Sequence, residues 1–159
     1  PLSSRYWDQH RASFDAITLF DVIEHVNQPL EVCRRALELL APGGVLLMDT
    51  PNADGLLYRF GDFTSRISRG RYPTTLGIQY RPTPFDHKQI FRVRDMSTML
   101  AAAGFSEVSI STKTELSLPI EIYLQSYPAA TKLLAPALRY LMPRLPWHNK
   151  MIAVARKQG

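Results

Sequence analysis

Two hydrophobic rhythms alternate along this chain. Ala16-Ile17-Thr18-Leu19-Phe20 is a short apolar run bounded by acids, and its length and β-branched residues predict a buried strand. Leu30, Cys33, Leu37 and Leu40 then recur at spacings of three and four, while Glu31, Arg34, Arg35 and Glu38 lie mostly off that stripe. This is the pattern of an amphipathic helix. Asn27 is placed to cap it, and Pro29 suits its first turn, where a missing N–H has no intrahelical partner. Pro42-Gly43-Gly44 predicts the stop, and the apolar run 45–48 a second strand. Strand, crossover helix and strand make a βαβ unit, hence a parallel sheet covered by helices.

The helical rhythm returns over 94–103, with Met96, Met99 and Leu100 inward and Gly104 as the stop. Phe105, Val108 and Ile110 alternate with polar residues and predict a strand, and 151–155 a short final one. Residues 117–150 are apolar and broken by prolines, with Leu133, Leu134, Ala137, Leu138, Leu141 and Met142 on one helical face. Residues 53–86 are irregular, rich in glycine and proline beside Tyr58, Phe60, Phe63, Tyr72, Tyr80 and Phe85. So long an irregular stretch is functional or disordered, and the aromatics argue for order. A short helix is expected over 56–63.

A length of 159 residues predicts one domain, and an apolar fraction of 45% excludes global disorder. The net charge of +5 is concentrated: Arg59, Arg66, Arg69, Arg71, Arg81, Lys88, Arg92 and Arg94 face only Asp54, Asp62 and Asp86. That excess is either a solvated surface or an attraction for an anionic substrate, head group or nucleic acid, and charge alone does not choose. Cys33 is the single cysteine, so no intrachain disulfide forms, which fits a reducing compartment. No signal peptide and no apolar run of about 18 residues is visible. The expected location is cytoplasmic.

Phe14-Asp15, the apolar run 16–20, Glu24-His25 and Pro42-Gly43-Gly44 stand in that order. His87, Phe91, the helix over 94–103, Ala103-Gly104-Phe105 and a strand over 108–110 follow. In this order and spacing the chain resembles class I S-adenosylmethionine-dependent methyltransferases, particularly the ubiquinone-biosynthesis-like O-methyltransferases, over residues 14–52 and 86–112. The resemblance implies an α/β chain, a partial Rossmann-like methyltransferase fold with strands four to seven of a seven-stranded sheet in the spatial order four, five, seven, six. Residues 1–159 would be the C-terminal part of one methyltransferase domain, with 53–86 inserted as a lid and 113–150 as a cap. The Gly-rich turn after strand one and the acid ending strand two of such enzymes do not occur here. A missing N-terminal half, or another chain, is therefore expected at the open strand-four edge, and the chain is expected to be inactive alone.

The resemblance further implies S-adenosylmethionine as cofactor. Open parallel sheets bind ligands at the carboxyl ends of their strands, where Phe20, Asp21 and Val22 are the expected cofactor contacts. Asp21 is read either as facing the sulfonium and amino group or as a helix-entry acid. His25 is a candidate general base, because imidazole titrates near neutral pH, with a structural, hydrogen-bonded histidine as the open alternative. His87 stands where the resemblance implies a histidine near the acceptor pocket, as a base or a substrate contact. Glu24 and His25 are adjacent and expected to diverge by about 100° on a helix, too far to aim at one small atom. Asn52, Tyr58, Arg59 and Tyr80 are expected substrate contacts. No metal is expected: Asp21, His25, Asp49 and His87 are conceivable ligands, but no H-E-x-x-H or C-x-x-C spacing occurs. Neither a G-x-S-x-G elbow nor a phosphate loop is present.

The expected function is methyl transfer to a small-molecule or lipid-like acceptor. The rival is a non-catalytic remnant or interaction module that binds no cofactor alone. Peripheral membrane contact is expected from the apolar face within 117–147, near Lys132, Arg139 and Arg144. No specific nucleic-acid partner is indicated.

Overall fold

The computed structural model describes residues 4–72, 75–76, 87–114, 121, 128–141, 144 and 147–159. A short helix α1 (Ser4–Gln9) leads into strand β1 (Phe14–Phe20), a 3-10 turn (Ile23–His25) and helix α2 (Pro29–Leu39). Strand β2 (Leu40–Pro51), helix α3 (Leu56–Ile67), helix α4 (Val93–Ala103) and strand β3 (Glu107–Lys113) follow. Helix α5 (Pro128–Leu141) and strand β4 (Lys150–Arg156) complete the order.

The four strands form one mixed sheet in the order β1-β2-β4-β3. β1 and β2 are parallel, as the βαβ pattern predicts, and β4 runs antiparallel to both its neighbours. The inward rows of β2 and β4, from Leu46 and Met48 to Met151, Ala153 and Ala155, pack against Cys33 of α2 and Met96 and Leu100 of α4. The opposite face is barely covered among the described residues. Ala16, Thr18 and Phe20 of β1 are exposed there, and Val154 of β4 joins them. β1 is therefore half-exposed rather than the buried strand its composition predicts. Its Ile17 and Leu19 are the residues that reach the core.

Three local expectations are corrected. Gln28, not Asn27, holds the N-cap position of α2, and it makes no side-chain cap. α2 ends at Leu39 and the strand begins at Leu40, ahead of Pro42-Gly43-Gly44. Those three residues bulge out of the ladder: Phe14 pairs with Leu40 but Ala16 with Val45, and Gly43 takes a left-handed φ of 76° to make the detour. The freed carbonyls at the end of α2 are taken by Lys157, whose Nζ donates to Leu37 O at 2.8 Å and Leu40 O at 2.6 Å. α4 ends where Gly104 adopts a φ of 107°. α3 runs four residues past its expected end, helped by the Arg66–Asp62 pair one turn apart at 2.9 Å.

Candidate active site at the strand tips

The carboxyl ends of β1 and β2 are adjacent and tied to each other. The backbone N–H of Asp21 donates to Asp49 O at 3.2 Å and to Asp49 Oδ1 at 3.0 Å. Asp21 takes a φ of 49°, unusual for a residue with a Cβ, and so turns the chain sharply off the sheet. β4 enters the sheet beside this turn. Its first residue, Lys150, is only 12% exposed, and Nζ sits 3.1 Å from Asp21 Oδ1 and 3.1 Å from Asp49 Oδ2. Burial alone would lower the Lys150 pKa, but hydrogen bonds and charge from Asp49 and Asp21 outweigh it and hold the ammonium above its ordinary value. Next to this clamp, Phe20 and Val22 stand out at 54% and 37% exposure. Large apolar side chains left in water beside paired charges make a ready contact surface.

The 3-10 turn then carries Ile23 and Glu24 inward, both fully buried. Residues 87–89 strap across it: Lys88 N and Gln89 N donate to Glu24 O at 2.9 and 3.3 Å, and Gln89 Nε2 to Val26 O at 3.0 Å. The strap places His87 beside His25, ring centroids 4.7 Å apart, with His87 Nε2 4.0 Å from Glu24 Oε1. The expected divergence of Glu24 and His25 is thereby corrected. One ligand atom from each of Glu24, His25 and His87 lies within 4.8 Å of the others. Side-chain reach closes the angle that the backbone opens.

Burial raises the pKa of Glu24; a backbone hydrogen bond and the neighbouring Thr50 hydroxyl pull it down without offsetting the desolvation. Neither Glu24 oxygen nor His25 Nδ1 has a hydrogen bond of good geometry among the described residues. Such atoms are unusual in a folded interior and mark places where a proton, water or ligand completes the arrangement. A carboxyl and two imidazoles together can exchange a proton with an acceptor hydroxyl, and they are also a donor set of the kind that holds a divalent cation.

The expected substrate contacts divide. Asn52 is buried and spent on the backbone: Nδ2 donates to His148 O at 2.8 Å, and Oδ1 accepts from Asp54 N at 3.0 Å. Tyr58 and Arg59 line an open cavity of about 810 Å³ between α3 and the start of α4, together with Asp54, Phe63 and Arg92. Glu24, His25 and His87 are not part of its lining. Tyr80 lies outside the described residues. Sequence reasoning missed Lys150, whose only signal is a cation at the head of an apolar strand, and undervalued Glu24.

A model of the methyltransferase domain matches residues 3–110, more than half of the chain. The chain belongs to the methyltransferase-domain family. It is 48% identical over 117 residues to the ubiquinone biosynthesis O-methyltransferase of Xanthomonas campestris pv. campestris, a match covering 66% of this chain and 46% of that protein. The chain thus spans about half the length of the curated relatives it matches. Among solved structures, it is similar to an S-adenosylmethionine-dependent methyltransferase of Thermotoga maritima, with a TM-score of 0.55, 14% identity, and coverage of 93% of this chain and 58% of that one. Phosphoethanolamine N-methyltransferase 2 of Haemonchus contortus, in complex with S-adenosyl-L-methionine, gives a TM-score of 0.53 at 16% identity, over 94% of this chain and 34% of that one. At these identities the structures establish the Rossmann-like methyltransferase fold. No helix among the described residues is long and apolar enough to cross a membrane.

Proposed function

We propose that this methyltransferase chain contributes one wall of an S-adenosylmethionine site and the base of an O-methyl transfer, acting, as the names of its relatives state, in ubiquinone biosynthesis. The supporting observation is the junction of two features at one edge of the sheet: a clamped strand tip with exposed apolar side chains, followed directly by a buried carboxyl–imidazole cluster. β1, β2, β4 and β3 then correspond to strands four, five, seven and six of the larger fold. Residues 53–86 act as a lid and 113–150 as a cap, and the rest of a longer domain covers the free β1 edge.

The strand tip suits the cofactor's chemistry. Phe20 and Val22 offer apolar contact, and two carboxylates against one ammonium leave the tip a net charge of −1, favourable to a cation. When bound, S-adenosylmethionine supplies a methyl group activated by its sulfonium. The chain's own residues hold the donor in place, exclude water and manage the acceptor's proton; alignment does most of the work. An imidazole of His25 or His87 takes the hydroxyl proton, and Glu24 stabilises the imidazolium. The acceptor is a small or lipid-like molecule bearing that hydroxyl.

A second reading has Glu24, His25 and His87 bind a divalent cation, which the convergence of their ligand atoms favours. Calorimetry with Mn²⁺ on EDTA-treated protein separates the two: stoichiometric binding lost in His87→Ala supports the cation.

Grafting this chain in place of the matching segment of the Xanthomonas campestris relative gives an assay for the main reading. Labelled methyl transfer is expected, falling about 10²–10⁴-fold in the variant that loses the base, with cofactor binding retained. A folded graft that neither binds cofactor nor transfers methyl supports the interaction-module alternative.

A further inference from the structure

We propose that the outer edge of β3 is a self-pairing surface, on which a second copy of this chain docks strand to strand about a two-fold axis. The inference rests on the register and charges of β3 and is independent of the methyl-transfer reading. β3 ends the sheet, with β4 on one side and, among the described residues, no strand on the other. Its seven residues pair with β4 in an unbroken register, from Glu107 opposite Arg156 to Lys113 opposite Lys150. The strand has no bulge and no proline, and no charge between its two end residues. Soluble proteins guard open edges with such devices, and a strand without them offers its outward N–H and C=O groups to another strand.

The residues of β3 select the partner. A two-fold axis through Ile110 is the one antiparallel arrangement that pairs all seven residues of the strand with their own copies. It sets Glu107 against the partner's Lys113, Val108 against the partner's Thr112, Ser109 against the partner's Ser111, and Ile110 against its own copy. Opposite charges meet at both ends and β-branched side chains in the middle, both favourable cross-strand pairs. Within one copy, Lys113 stands across from a second cation, Lys150, and the partner's Glu107 brings a carboxylate to that place. The contact of Glu107 with Arg156, at 3.5 Å and exposed on both sides, is weak enough to share its carboxylate. Val108, Ile110 and Thr112 are only half-buried, although Val108 and Ile110 reach the core, and a neighbouring strand covers what is left.

The opposite edge lacks this symmetry. The same operation on β1, about Ile17, sets Asp15 against Leu19 and Phe14 against Phe20, with no ion pair. Pairing through β3 continues the sheet from one copy into the next, with β1 outermost in each. It turns the two strand tips at Asp21 and Asp49 toward opposite ends of that sheet, so both stay open.

Sedimentation velocity on the chain tests this. A monomer at about 1 µM and a populated dimer at about 100 µM are expected, since strand pairing alone buries less than a standard interface. Glu107→Lys sets like charges together at both ends and is expected to weaken the dimer about tenfold or more, and Lys113→Glu to do the same. Mixing the two variants is expected to restore a dimer, because each carries the charge the other has lost. Glu107→Lys/Lys113→Glu is expected to restore it within one sequence. Far-UV circular dichroism and melting verify that each variant is folded. Folded wild-type chain that stays monomeric at about 100 µM overturns the proposal. Single variants that dimerise like wild type, or a loss that mixing does not restore, overturn it too. A dimer broken by Ala16→Lys on β1 and untouched by the β3 reversals also overturns it, by assigning the contact to the other edge.

Discussion

Asp21 donates its backbone N–H to a carboxylate oxygen of Asp49 at 3.0 Å, joining the ends of two parallel strands at the point where a ligand of this fold is expected. Both carboxylates also share the ammonium of Lys150, from a third strand. The site is thus held by residues that lie far apart along the chain, and its geometry depends on the whole sheet being formed.

Lys150→Met removes the cation and leaves two carboxylates facing each other. Truncating one partner of a mostly buried pair costs 3–5 kcal/mol and of an exposed pair under 1, so about 1–3 kcal/mol is expected here, read by urea unfolding near neutral pH. Because the folded-state pKa of Lys150 is raised, its contribution is full below the ordinary lysine value and fades as pH climbs through the folded one. The gap between wild type and variant should therefore narrow in strongly alkaline buffer.

Glu24→Gln works in the opposite sense. Desolvation raises the folded-state pKa of Glu24, so its favourable contribution holds while it is protonated and is lost as pH rises through that value. Gln cannot ionise. In EDTA-treated protein the variant should melt like wild type at about pH 4 and above it at about pH 7, near and beyond the ordinary Glu range. A variant less stable at both pH values contradicts the assignment.

Asn52→Ala strips two part-buried hydrogen bonds, leaving His148 O and Asp54 N without those partners. A loss of about 1–3 kcal/mol is expected, at about 0.5–1.5 kcal/mol per hydrogen bond, measured by chemical denaturation. A variant of unchanged stability would contradict a structural role for these two hydrogen bonds.

Gly61→Ala places a methyl group against Thr75 and Leu76. Overpacking of this kind costs about 1–3 kcal/mol and should displace α3 from its seat, seen as faster hydrogen exchange in residues 56–67.

Much of this was legible in the sequence. The apolar runs around Ile17 and Leu46, and the stripe through Cys33, mark the βαβ unit because each obeys a local period. Gly104 marks its helix end because few other residues tolerate that φ. The start of β2 was not legible: Pro42-Gly43-Gly44 reads as a terminator, yet the ladder resumes on both sides of the bulge once β1 is alongside. Nor was the cluster at Glu24. Its burial follows from a strap more than 60 residues away, and the value of Lys150 from an antiparallel neighbour over 100 residues distant. Local patterns carry periodicity; they do not carry such long-range encounters.

The cofactor wall proposed at Phe20, Asp21 and Val22 is the central claim. Calorimetric titration of S-adenosylmethionine into the graft on the Xanthomonas campestris relative, with and without Phe20→Ala/Val22→Ala, tests it most directly. The account predicts one-to-one binding that the double variant weakens about tenfold or more, in line with about 1.5 kcal/mol or more per buried apolar side chain, with the melting temperature little changed. Binding of equal strength in both proteins would contradict it.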